Sequence, residues 1–172
     1  MVPQADEQSE SDGDRHIVHP ARESDLAAVL ELVAAEKAGN PWLERIPELV
    51  EQAIRERSDE YQMCVAELSG EFAGCGIYGS VAGTIGTAIL YFVGVERRAR
   101  ETGTGTGDAI LAHVLSDLMA KATRLVVAEI PGHESFDIYR SLLEAHGFVE
   151  ESRIEDYYRD GVSLMHYRLD PK

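Results

Sequence analysis

Tyr91-Phe92-Val93-Gly94-Val95-Glu96-Arg97-Arg98-Ala99-Arg100-Glu101-Thr102-Gly103-Thr104-Gly105-Thr106-Gly107-Asp108 sets the architecture of this chain. An apolar strand end feeds a glycine-rich loop, and behind it Ile110, Leu111, Val114, Leu115, Leu118 and Met119 fall at helical spacing. Glycines remove Cβ atoms, so main-chain N–H groups can converge on an anion, and a helix N-terminus adds about half a positive charge. The stretch therefore reads as a phosphate cradle. Arg97, Arg98 and Arg100 stand directly before it in a chain whose formal net charge is −15, a local inversion that suits a polyanionic ligand.

Spacing separates the phosphate loops that could be meant. A nucleoside triphosphate loop ends in Gly-Lys-Ser/Thr, whereas Gly107 is followed by Asp108. A dinucleotide fingerprint needs G-x-G-x-x-G/A after the first strand of its domain. Neither Gly103-x-Gly105 nor Gly105-x-Gly107 completes it, and this loop follows a later strand. A surface loop without ligand is the remaining alternative.

Working outward, His16 to His19 reads as a short strand. Leu26, Val29, Leu30, Leu32 and Val33 follow as a helix, and a second helix from Pro41 carries Leu43, Ile46, Leu49, Val50 and Ile54 on one stripe. From Gln62 the period becomes two: Gln62 to Leu68, the turn Ser69-Gly70, and Glu71 to Ser80 form a hairpin. Thr87 to Val95 is a further strand. After the glycine loop Thr102 to Gly107 and its helix come a strand at Arg124 to Ile130, a helix at Ser135 to His146, and strands at Phe148 to Glu155 and Val162 to Leu169. The class is α/β (α+β), in the order βααβββαβαββ, with no internal repeat.

At 172 residues and 44% hydrophobic content the chain has material for one domain, residues 15 to 172, that buries roughly 70% of its unfolded surface. Residues 1 to 14 hold Asp6, Glu7, Glu10, Asp12 and Asp14 with no Lys or Arg, and are expected to be a disordered acidic tail. The acidic balance argues against nucleic acid as a partner and favours a small cationic one. Apolar runs fall short of the ~20 residues of a membrane helix, and the opening residues do not read as a leader, so a cytoplasmic location without membrane contact is expected. Oligomeric state stays open, a homodimer included. About the Ser69-Gly70 turn, positions whose numbers add to 139 stand opposite. Cys64 and Cys75 would then face each other, as small core residues or as a cross-strand bridge. His16 and His19, three apart on a strand, point to opposite faces, and no metal site is expected.

The glycine stretch resembles the coenzyme A pyrophosphate loop of the GNAT N-acetyltransferase superfamily, Arg/Gln-x-x-Gly-x-Gly/Ala after a strand ending in Val. Arg100, Gly103 and Gly105 fit one register after Val95. Aligning the helix by Ala109-Ile110-Leu111 gives a second, with Gly105 and Gly107 as the glycines, Thr102 in place of Arg/Gln and a two-residue insertion. Gly103, Thr104, Gly105, Thr106 and Gly107 are therefore assigned as a group. The resemblance continues through Tyr78-Gly79, Thr84, Thr87, Leu90 to Val95, Glu129, the Tyr139 to Phe148 helix with its Gly147-Phe148 ending, and Asp156 to Gly161.

The resemblance implies a mostly antiparallel mixed sheet of about seven strands with helices on both faces, acetyl-CoA as cofactor and no metal. It also implies direct transfer of acetyl to a primary amine of a small molecule in a ternary complex. Val93, Gly94 and Val95 would contact the cofactor, with Arg100 helping at the phosphates. Glu129, which interrupts an apolar strand end, would be the base, ahead of Glu96 and Glu67; Tyr78 and Tyr91 would line the acceptor site. The family's thiolate-protonating Tyr stands four residues before the Gly of Gly-Phe, where this chain has Leu143. Tyr139, one helical turn earlier on the same face, about 6 Å along the axis, is the substitute. Tyr157, Tyr158 or water are the alternatives. Leu143 keeps a non-catalytic acyl-CoA sensor in contention, and a protein N-terminus or lysine is the alternative acceptor.

Overall fold

The computed structural model describes residues 15–38 and 40–171, so the acidic tail lies outside the described residues. Strand β1 (His16–Pro20) is followed by a 3-10 turn and helix α1 (Leu26–Lys37), then by a second 3-10 turn at Pro41–Leu43 and helix α2 (Ile46–Glu56). Strands β2 (Gln62–Leu68), β3 (Glu71–Ser80) and β4 (Thr87–Val95) come next. After them stand a short helix α3 (Arg97–Glu101) and the long helix α4 (Thr106–Ala120). Strand β5 (Leu125–Pro131), helix α5 (Asp137–Ala145) and strands β6 (Val149–Arg159) and β7 (Val162–Leu169) complete the chain. The strands form one sheet in the order β1-β2-β3-β4-β5-β7-β6, antiparallel except for β4 against β5.

Each face of the sheet carries its own core. Val29, Val33, Val50, Val65, Cys75, Ile77 and Phe92 pack under α1 and α2. Tyr78, Leu90, Ile110, Leu111, Val114, Ala128, Leu143 and Tyr167 pack on the other face, under α4 and α5. Among the described residues, no helix is long and apolar enough to cross a membrane.

Helix α3 occupies residues between the Thr87–Val95 strand and the Thr102–Gly107 loop that the sequence assigned to no element. Glu96 caps it, its carboxylate accepting from the N–H groups of Arg98 at 2.7 Å and Ala99 at 3.3 Å, and Ala99 is buried beneath it. Glu96 is thereby occupied as a cap, which removes it as a candidate base. Glu67, the other minor candidate, sits on β2 against His19 at 3.2 Å.

The hairpin turn is as read, Ser69 and Gly70 both adopting positive φ of 52° and 81°. Its register corrects the cysteine pairing. Leu68 faces Glu71 and Glu67 faces Phe72, but Ala66 faces Gly74, so Ala73 is an extra residue and the pairing slips by one beyond it. A slip of one exchanges faces. Cys75 stands opposite Val65, and the two thiols lie in different cores as free cysteines. Burial pushes the Cys64 thiol from its ordinary 9.0 up to about 12, and raises Cys75 as well. A thiol-specific disulfide reagent at pH 8 is expected to label neither cysteine in the folded protein and both after denaturation. A reductant is expected to leave the Tm unchanged; a Tm that falls on reduction would contradict this register.

Candidate acyl-transfer site

A second bulge opens the site. Between β3 and β4, Ile77 faces Phe92 and Tyr78 faces Leu90, leaving Tyr91 without a partner. At that point the parallel ladder to β5 stops: it runs from Thr87 opposite Leu125 to Leu90 opposite Ala128, although β4 continues to Val95 and β5 to Pro131. An inserted residue bends its strand and ends local pairing, so β4 and β5 part from Tyr91 and Glu129 onward. The gap is lined by Tyr91 to Val95, by Glu129 to Pro131, and by Tyr139 and Leu142 of α5.

The glycine loop reaches this gap through Gly107, which lies beside Leu142 and Val95. The N–H groups of Thr102, Gly103 and Thr104 bond to carbonyls of Arg98, Arg100 and Ala99. Those of Gly105, Thr106, Gly107 and Asp108 have no backbone acceptor among the described residues, because the first bond of α4 runs from Ala109 N–H to Gly105 C=O at 3.0 Å. Four successive donors thus remain for an anion, with Gly105 turning the chain into α4 at φ 73°. A Cβ on Gly107 would come 3.3 Å from Leu142 and 3.6 Å from Val95, two residues that line the gap. This geometry favours the second register, with Gly105 and Gly107 as the working glycines.

The side chains of the loop point the other way. Thr104 Oγ1 donates to Ala99 C=O at 3.1 Å, so in its 2.8 Å contact with Thr106 Oγ1 it accepts. Thr106 then has no proton left for His16 Nε2, 2.9 Å away, and His16 must be the donor. Thr106 is buried, and this chain of contacts fixes it from behind. The arginines are also engaged: Arg100 pairs with Glu36 at 2.8 Å, Arg97 with Glu101 at 2.7 Å, and Arg98 lies 3.9 Å from Glu71. The local charge inversion in the sequence is neutralised in the fold, and Arg100 lines the gap as half of an ion pair.

No family model and no curated protein matches the sequence. Solved structures do. A protein described as a GNAT-family acetyltransferase, from Desulfovibrio desulfuricans, is 26% identical at a TM-score of 0.79, over 92% of this chain and 100% of that one. An N-acetyltransferase from Staphylococcus aureus is 20% identical at 0.73, over 92% and 99%. The ribosomal-protein-S18-alanine N-acetyltransferase of Escherichia coli is 17% identical at 0.72, over 92% and 95%. The chain belongs to the GNAT superfamily of N-acetyltransferases. Acetyl-CoA is the cofactor the GNAT family implies, and the residues present suit it: free amides for a diphosphate, a gap between strands for a pantetheine arm, and one orphaned hydroxyl buried in the wall behind it.

That hydroxyl belongs to Tyr139. It is enclosed without a hydrogen-bond partner, the single such side-chain group among the described residues, and burial pushes its pKa up. Leu143, at the usual GNAT tyrosine position, is fully buried core. Glu129 lines the gap, half-exposed, and is paired across the ladder with His166, whose Nε2 is 3.7 Å from the carboxylate; Arg124 is not its partner. Tyr91 lines the gap, its phenol raised first by burial and then by Tyr61, Glu60 and Glu129, with Arg45 acting against them.

Tyr78 is a correction. It lies on the opposite face under α4, 4% exposed, with its hydroxyl donating to Asp117 at 3.0 Å, so it is core and does not reach the gap. Of the two late tyrosines, Tyr158 lines the gap and Tyr157 does not. Sequence reasoning missed Trp42, Arg45 and Tyr61, which line a cavity together with Tyr91, Glu129 and Tyr158. A lone Trp behind Asn40-Pro41 was their one available signal.

Proposed function

We propose that the protein is an acetyl-CoA-dependent N-acetyltransferase that moves acetyl directly onto the primary amine of a small molecule. The observation that carries this is the parting of β4 and β5 at the Tyr91 bulge, beside four unspent amides at the start of α4. When bound, acetyl-CoA supplies an acyl group activated as a thioester. Gly105 to Asp108 hold its phosphates through main-chain donors, and the unpaired edge of Val93 to Val95 offers peptide groups to the arm and the acyl oxygen. Glu129 takes, directly or through a water, the proton that the ammonium must lose before its nitrogen bonds to the acyl carbon. Tyr139 would give its proton to the sulfur as the carbon–sulfur bond breaks, and the second proton, which the nitrogen sheds on becoming an amide, would restore the phenol. Trp42, Tyr61, Tyr91 and Tyr158 beside Glu129 offer an aromatic surface for the frame of a small acceptor.

Thiol release from acetyl-CoA, measured across a panel of amines, tests the reading. Turnover with any small amine supports it, whereas tight CoA binding without turnover would leave a sensor. Tyr139→Phe tests the proton donor separately. Removing a buried hydroxyl that lacks a partner should stabilise the free protein by about 1 kcal/mol. The same change should lower kcat about fivefold, a modest loss because a thiol of pKa near 8.5 leaves readily. A rise in Tm without any fall in kcat would make Tyr139 a packing residue and nothing more.

A further inference from the structure

Two cavities meet at Glu129. One runs along the cofactor side past Val93 and Tyr139; the other runs away from it and is walled by Trp42, Arg45, Tyr61, Tyr91 and Tyr158. Glu129, Trp42, Tyr91 and Tyr158 border both cavities, whereas Arg45 and Tyr61 border only the second, so the tail of an acceptor whose amine sits at Glu129 extends toward Arg45. Four rings line that path. Tyr61 stacks on Tyr91 with centroids 6.0 Å apart, and Tyr158 meets Trp42 edge-on at 6.4 Å.

The charges along this path have opposite signs at its two ends. Glu129 is the carboxylate at the junction. Arg45 is exposed and makes no ion pair among the described residues; the same is true of Arg15, Arg22, Arg57, Arg124 and Arg159, but of these six Arg45 alone lines either cavity. Arg159, the other guanidinium nearby, rests over the Trp42 ring at 5.6 Å and borders neither cavity. In so acidic a protein, an uncommitted Arg on the wall of the acceptor cavity has an anion of the ligand as its natural partner.

We infer that the acceptor is an amine that also carries a carboxylate: an amino acid whose ammonium meets Glu129, whose carboxylate meets Arg45, and whose frame lies against the four rings. This rests on the acyl-transfer reading above. It adds a specificity: a polyamine or a plain alkylamine of the same length leaves the Arg45 guanidinium unanswered and places no anion there.

The test uses matched pairs with the full-length protein: 4-aminobutyrate against propylamine, 6-aminohexanoate against pentylamine, tyrosine against tyramine, tryptophan against tryptamine. The acid-bearing member of at least one pair is expected to exceed its partner tenfold or more in kcat/KM, in keeping with a charge-assisted contact. Arg45→Ala is expected to abolish that ratio, and Arg45→Lys to restore part of it. Binding of the same pairs, followed by calorimetry in the presence of CoA, reads the subsite independently of turnover. Acetylation in which every decarboxylated amine equals or surpasses its acid, or in which Arg45→Ala keeps the preference, overturns the inference and leaves the acetyltransferase standing. Binding of the acid through Arg45 with no transfer to any amine supports the subsite and removes the enzyme.

Discussion

Replacing Glu129 by Gln is expected to lower kcat/KM for the amine by about a hundredfold or more at neutral pH, the usual scale for a positioned general base, with CoA affinity within twofold of wild type. The amide matches the carboxylate in shape but cannot take the ammonium proton. Its loss should therefore shrink as the pH rises and the amine sheds that proton unaided. Steady-state rates against pH, set beside calorimetric CoA binding, check both halves. Glu129 borders both cavities, and its partner His166 stands on the neighbouring strand, so the carboxylate is placed without being locked in a tight ion pair. A rate within threefold of wild type would transfer the proton to water and demote Glu129 to a charge that attracts the ammonium.

Gly105→Val should weaken CoA binding tenfold or more. Gly105 holds φ 73°, a left-handed conformation that costs a β-branched residue about 1–3 kcal/mol. A Cβ there meets nothing within 4 Å, so the fold itself has room for it. The cost falls on the anion, because the side chain enters the space before the free amides and the strain tilts them. Gly103→Ala supplies the control. Gly103 has a similar φ of 64° and equal room, but its N–H is already spent on Arg100, so the substitution brings the strain and spares the donors. Calorimetric titration with CoA should show a clearly smaller loss for Gly103→Ala. Equal affinities for Gly105→Val and wild type would move the phosphates elsewhere.

Most of the fold could be read from the sequence because alternation, helical spacing and turn chemistry are local. The Gln62–Leu68 and Glu71–Ser80 strands, their Ser69-Gly70 turn, and the Thr87–Val95 and Val162–Leu169 strands stand as read. What could not be read depends on single inserted residues. Ala73 and Tyr91 bulge without any composition that marks them, yet the first sends Cys64 and Cys75 to opposite cores and the second opens the site. Tyr78 was lost for a related reason: its neighbours resemble a binding motif, but the face it occupies follows from a register that only the paired strands define. The acceptor wall escaped because Trp42, Tyr61 and Tyr158 come from segments far apart in sequence that share no spacing, and meet only when α1, α2 and the β6–β7 end close over β4.

The chain of contacts from His16 through Thr106 and Thr104 to Ala99 engages the loop's threonine hydroxyls, leaving peptide nitrogens to meet any anion there. Every residue except proline supplies that atom, so the alphabet of the loop is free to drift wherever bulk and torsion permit. Ancestry at such a place is written in the path of the chain, and lineages can diverge until their letters no longer match while still gripping the same ligand.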